Sequence, residues 1–213
     1  CSKKDEQNSV NESRKVNLIG NVEKGPFVRG STLTIYELND QFVPNGKSFK
    51  TEILDDKGSF SLKGLEISSK YVQITANGYY FDELTSELSK STISLNAIAE
   101  VENDKTINVN VLTHLEEKRL RRLINDGMSY ANAKIQAQKE LYSSFNVKDN
   151  VNILSAENVS FTQNNVNSTI LFGISASILK MAESSEAKLT ELLSVFSQDF
   201  EDDGALRGDN LNK

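Results

Sequence analysis

Reactive side chains are few in this sequence, and their scarcity narrows the chemistry open to it. The 213 residues contain one cysteine, Cys1, and one histidine, His114. A lone cysteine forms no internal disulfide, and one Cys with one His leaves no plausible zinc set. A nucleophile activated by His114 would need a Ser, Thr or Cys held beside it in a strained turn, and the chain has no G-x-S-x-G. P-loop and dinucleotide glycine patterns are absent too. His114 falls inside Thr113-x-x-Glu116, a capping-box pattern, so it reads as a residue of a helix start or a partly buried polar contact. Carboxylates are the abundant reactive type. Asp199, Asp202 and Asp203 stand just before Gly204 and offer oxygens of the kind calcium takes, though not at EF-hand spacing; a solvated helix end is the plainer reading. No catalytic residue, no metal and no cofactor is expected.

Two clusters suit binding rather than reaction. Lys118, Arg119, Arg121 and Arg122 form a basic patch in a protein of net charge −6 and pI about 5.0; an anionic glycan or partner domain would fit it, and a solvated helix face is the alternative. Tyr79, Tyr80 and Phe81 are consecutive aromatics. On a strand Tyr80 must face away from its two neighbours, which leaves Tyr80 as a ring able to stack on a sugar or to pack in a core. The acidic balance argues against nucleic acid, whose phosphates demand many cations.

Cys1 has a third use. Processing of a bacterial lipoprotein precursor removes the signal peptide and leaves a cysteine first, to be acylated on sulfur and nitrogen. Two or three chains, palmitate among them, anchor a protein stably where one does not. Residues 2–15 carry a single apolar side chain, Val10, and read as a flexible tether. Ser2-Lys3-Lys4-Asp5-Glu6 after Cys1 resembles the surface-export signal of Bacteroidota lipoproteins. That resemblance implies a lipid-anchored place on the cell outer membrane, facing outward.

The elements that carry these residues fall into two halves. Residues 16–109 are punctuated like β-structure, with expected strands at 16–22, 32–38, 48–54, 59–62, 71–76, 79–81, 92–97 and 106–109. Asp55-Asp56-Lys57-Gly58 and Asn77-Gly78 read as turns. The series Gly20-x-Val22, Gly25-Pro26-Phe27-Val28-x-Gly30, then Asp55-Asp56-x-Gly58-x-Phe60-x-Leu62 and Tyr71-Val72-Gln73-Ile74-x-Ala76-x-Gly78-Tyr79 resembles a carboxypeptidase-regulatory-like, or transthyretin-like, domain. The resemblance covers roughly residues 16–98 and implies a non-catalytic antiparallel β-sandwich.

Residues 110–213 change to a helical period. Helices are expected from the Thr113 box to Gly127, and over 129–145, 168–182 and 186–200. In the second of these Met128, Ala131, Ile135, Tyr142 and Phe145 make the apolar stripe. Asn110-Val111-Leu112-Thr113-His114-Leu115 and Asp199-Phe200-x-x-Asp203-Gly204 resemble the helical region that follows such a sandwich in Bacteroidota surface lipoproteins. The expected architecture is α+β in two segregated parts, a lipidated tether over 1–15, a sandwich over 16–109 and a bundle of about four helices over 110–213. The expected role is a non-enzymatic cell-envelope module whose partners are the membrane, through lipid, and an envelope protein or glycan. The alternatives are a ligand-binding accessory that captures glycan or peptide through Tyr80 or the Arg119–Arg121–Arg122 region, and the non-catalytic front part of a longer protein.

Overall fold

The computed structural model describes residues 13–148 and 152–207. Strand β1 (Arg14–Glu23) pairs antiparallel with β4 (Ser59–Ile67) and parallel with two short strands, β7 (Lys105–Thr106) and β8 (Val109–Asn110). The other sheet is antiparallel, in the order β3 (Pro44–Glu52), β2 (Thr32–Leu38), β5 (Tyr71–Gly78) and β6 (Ile93–Glu100). The two sheets pack as a sandwich. Alternation explains the register: Leu33 and Ile35 of β2 and Val72, Ile74 and Ala76 of β5 are all turned into the core.

The Asp55 turn forms as expected. Asp55 Oδ1 accepts from the amides of Lys57 (3.0 Å) and Ser59 (3.1 Å), and Gly58 sits at φ +79° with a Cβ's place only 2.4 Å from the Val22 carbonyl oxygen. Two other expectations fail. Asn77 and Gly78 form no turn but end β5, paired with Ser94 and Ile93 of β6. Tyr79–Phe81 is no strand; it crosses the end of the sandwich through isolated bridges from Tyr80 to Phe27 and from Phe81 to Leu88.

β8 runs straight into helix α1 (Val111–Asn125), which is followed by α2 (Tyr130–Ser144), α3 (Val166–Met181) and α4 (Glu186–Asp203). The capping box at α1 lies three residues before the expected one. Asn110 Oδ1 accepts from the Thr113 amide at 3.0 Å, and the Asn110 amide donates to Thr113 Oγ1 at 2.9 Å. Asn110 wins because its Nδ2 also donates to the Ala156 and Val159 carbonyls at 2.8 and 2.9 Å, so every polar group of this fully buried side chain is matched. The other helices start at Ser129, Asn165 and Ser185, and Gly204 closes α4 in the left-handed conformation.

One hydrophobic core continues from strands to helices, joining Leu18, Ile35 and Ile74 to Leu112, Leu115, Leu193 and Phe200. A smaller cluster lies where α1 and α2 meet the second sheet, with Phe42, Tyr71 and Tyr130 at mutual ring distances of 4.5 to 5.9 Å. The stripe expected on α2 is rotated. Ile135 is 67% exposed, whereas Ala133, Ala137 and Leu141 are buried together with Lys134. No helix among the described residues is long and apolar enough to cross a membrane.

Candidate functional site

The basic patch of α1 is divided among internal partners. Arg119 is 7% exposed; its Nε and Nη2 donate to the two oxygens of Glu140 at 2.8 and 3.0 Å, and its Nη1 donates to the Glu201 and Asp202 carbonyls at 3.1 and 2.8 Å. It therefore ties α2 to the carbonyl end of α4, where the helix dipole favours a cation. Arg121 binds the Glu117 carboxylate, the Phe42 carbonyl and, at 2.8 Å, Gln73 Oε1. Only Arg122, paired with Asp126 at 3.0 Å, and Lys118, bonded to Gln198 at 2.7 Å, stay at the surface. An anionic partner would find two cations one turn apart on α1 here, not the four-residue patch.

Tyr80 is also corrected. The opposition to Tyr79 holds, but Tyr80 is the inner residue, 3% exposed, with Phe27 at 6.3 Å between ring centroids and Lys24 Nζ 5.9 Å above its ring. Burial pushes its phenol well above the ordinary value. Lys24 is itself fully buried and 2.5 Å from Glu83, which also accepts from Ser175 Oγ at 2.6 Å; burial lowers the lysine pKa and Glu83 opposes the fall. Tyr79 is the exposed ring of the pair.

The carboxylates before Gly204 close the end of α4. Asp203 accepts from the Ala205 amide at 3.1 Å and pairs with Arg207, and Asp199 accepts from the Arg207 amide at 2.6 Å. Asp202 enters through its backbone carbonyl, on Arg119. Among the described residues no three His, Cys, Asp or Glu side chains converge to hold a metal ion. Cys1 and the segment Ser2, Lys3, Lys4, Asp5 and Glu6 lie outside the described residues.

His114 occupies the first turn of α1 and is half-buried. Burial, helped by Lys118, pushes its pKa down to about 4, so the imidazole is neutral at pH 7. Its Nδ1 is sealed from water and has no hydrogen-bond partner.

The densest internal chemistry was hidden in the sequence. Lys134 of α2 lies between Glu116 of α1 and Glu157, with all three no more than 6% exposed. Its ammonium bonds Glu116 and stands 2.8 Å from Glu157 Oε2. Burial alone would lower the lysine pKa, and the two carboxylates outweigh it and raise it. Burial raises Glu116 to about 7 despite that lysine. Tyr142 brings a buried hydroxyl without a hydrogen-bond partner into the same region. Separately, Glu23 is raised by burial to about 7 while accepting from Ser160 Oγ (2.8 Å) and the Phe161 amide (3.0 Å). A signal existed for Lys134: it stands three and seven residues before Ala137 and Leu141, on their side of the helix.

Comparison with known proteins returns nothing to lean on: no family model, no curated protein and no solved structure matches this chain.

Proposed function

We propose that this chain is a non-enzymatic cell-envelope lipoprotein of the Bacteroidota surface type, an interaction or structural module with a carboxypeptidase-regulatory-like sandwich and a helical region. In this reading acyl chains on Cys1 hold it to the outer membrane, and the polar residues between Cys1 and the start of β1 at Arg14 link that anchor to the sandwich. The supporting observation is the use of the buried ionisable side chains. Arg119 braces α2 against α4, Lys134 joins Glu116 to Glu157, and Lys24 joins the Glu83 loop. Each acts as an internal strut, an arrangement suited to a rigid body that presents a surface.

The test is metabolic labelling in the native envelope with a clickable fatty acid, on the wild-type gene and on Cys1→Ser. Label on the wild type alone is expected, together with loss of the protein when intact cells meet protease. Label on the Cys1→Ser protein, or no label on either, overturns the anchor. Complete protection from protease moves the protein to the inner leaflet.

A further inference from the structure

A cleft of about 270 Å³ opens where the outer face of β5 and β6 parts from α1 and α4. Its floor carries Asn77, Ser94 and Asn96, side chains that point away from the core by strand alternation. Its wall carries Thr190, Ser194 and Ser197 of α4, and His114 of α1 completes it.

The internal hydrogen bonds leave a defined remainder. Asn77 Nδ2 donates to Ser94 Oγ at 2.8 Å, and Thr75 Oγ1 donates to Asn96 Oδ1 at 2.8 Å. Among the described residues, Asn77 Oδ1, Asn96 Nδ2 and the Ser194 hydroxyl therefore keep their capacity for a ligand. His114 Nδ1 is sealed off, so hydrogen bonding by that ring falls to Nε2. Of the two charged residues at the rim, Glu117 is paired with Arg121, whereas Lys118, hydrogen-bonded to the neutral amide of Gln198, keeps its charge.

The floor and wall groups, Asn77, Asn96, Ser194 and His114, are neutral, and both donors and acceptors are present among them. A charged group seated among them would lose water with only Lys118, at the rim, to oppose an anion and with Glu117 already paired. An apolar ligand would meet just Ile93 and Leu193 while covering amides and hydroxyls. Hydroxyl groups both donate and accept, so they match this lining. The volume lies just below the usual range of small-molecule sites, which suits one compact ring and not an extended chain.

We infer that the cleft between the β5–β6 face and helices α1 and α4 binds a single neutral sugar ring through Asn77, Asn96, Ser194 and His114. The inference rests on the reading of the chain as an interaction module, and it supplies a ligand class. It also moves ligand capture away from Tyr80, Arg119 and Arg121, which are engaged internally.

The test is amide-resolved NMR titration of the unlipidated 213-residue chain with glucose, galactose, mannose and N-acetylglucosamine, and with glucuronate and glucosamine as charged counterparts. Saturable shifts at Asn77, Ser94, Asn96 and Ser194 with a neutral sugar are expected. Ser194→Trp, a change at an exposed position, fills the cleft and should abolish them while the melting temperature stays close to that of the wild type. Thr190→Arg, also exposed, blocks the same opening if the tryptophan variant does not fold. Binding of methyl glycosides points to the end of a glycan, and binding of free reducing sugars alone points to a monosaccharide. Absence of shifts at these residues, shifts that persist in a folded blocked variant, or equal binding of glucuronate overturns the inference. No arm uses the lipid, so a flat titration leaves the labelling result intact, and unlabelled Cys1 leaves the titration intact.

Discussion

The Lys134 ammonium stands 2.8 Å from Glu157 while bonded to Glu116, so one cation of α2 holds carboxylates from two other segments in the interior. Removing the cation alone leaves two carboxylates with little water and no counter-charge. Lys134→Met should therefore cost about 3–5 kcal/mol in urea unfolding. Adding Glu116→Leu and Glu157→Leu should restore most of that loss, since an apolar replacement of a whole buried ionic group is often near neutral. If the triple variant is no more stable than Lys134→Met, the group does more than balance its own charges.

Two buried groups should give opposite pH slopes. Glu23 rises from an ordinary 4.5 to about 7 on folding, so the folded state binds its proton more readily and stability falls as pH rises from about 4.5 to 7. His114 falls from 6.5 to about 4, so the unfolded state binds its proton more readily and stability falls as pH drops from about 6.5 to 4. Each effect should reach a few kcal/mol, at about 1.4 kcal/mol per pKa unit. Thermal melts across pH 4 to 8, a window spanning both transitions, should separate them. Glu23→Gln should lessen the fall between about pH 4.5 and 7 without abolishing it, because Glu116 is raised to about 7 as well. His114→Gln should remove the rise and leave a curve that falls. Unchanged curves in both variants would contradict this account.

Arg119 and Arg122 should differ sharply although they are three residues apart. Arg119→Ala leaves the half-buried Glu140 with Gln136 as its remaining side-chain partner and frees the last carbonyls of α4, at an expected cost of about 2–3 kcal/mol. Arg122→Ala removes an exposed pair and should shift stability by less than about 1 kcal/mol. Arg119→Lys should recover only part of the loss, because an ammonium cannot make the forked contact. Equal effects at the two positions, measured by chemical unfolding, would argue against the strut.

Asn110→Asp should keep the cap of α1 but lose both donors to Ala156 and Val159. It should cost about 1–3 kcal/mol and loosen the 156–159 segment, visible as faster amide exchange there. Asn110→Ala removes the cap as well, and about 1 kcal/mol more should follow.

The sequence made some of these relations readable and concealed others for physical reasons. β2 runs over Thr32–Leu38 as expected because Leu33 and Ile35 alternate with Thr32, Thr34 and Tyr36, a period that ends at buried Glu37 and Leu38. For Tyr80 a period of two sets which residues oppose one another, but which side is inner depends on Phe27, far back in the chain. β7 and β8 were out of reach as separate elements: two residues each carry no pattern, and their pairing with β1 is long-range. The α2 stripe failed because a lysine counts as polar in any periodic reading, and only distant Glu116 and Glu157 make its burial tolerable. The neutral cleft was invisible for a similar reason. Its Asn, Ser and Thr residues are ordinary surface types until β5, β6, α1 and α4 bring them together.

β1 is held on one flank by β4, antiparallel, and on the other by β8, parallel and continuous with α1. Tension entering the chain at Arg14 runs along the axis of β1. The ladder bonds to both neighbours lie across that pull and are loaded together in shear, not peeled one at a time. The front strand of the sandwich thus has the geometry of a shear clamp, with its two ladders set across the line from Arg14 to the first helix.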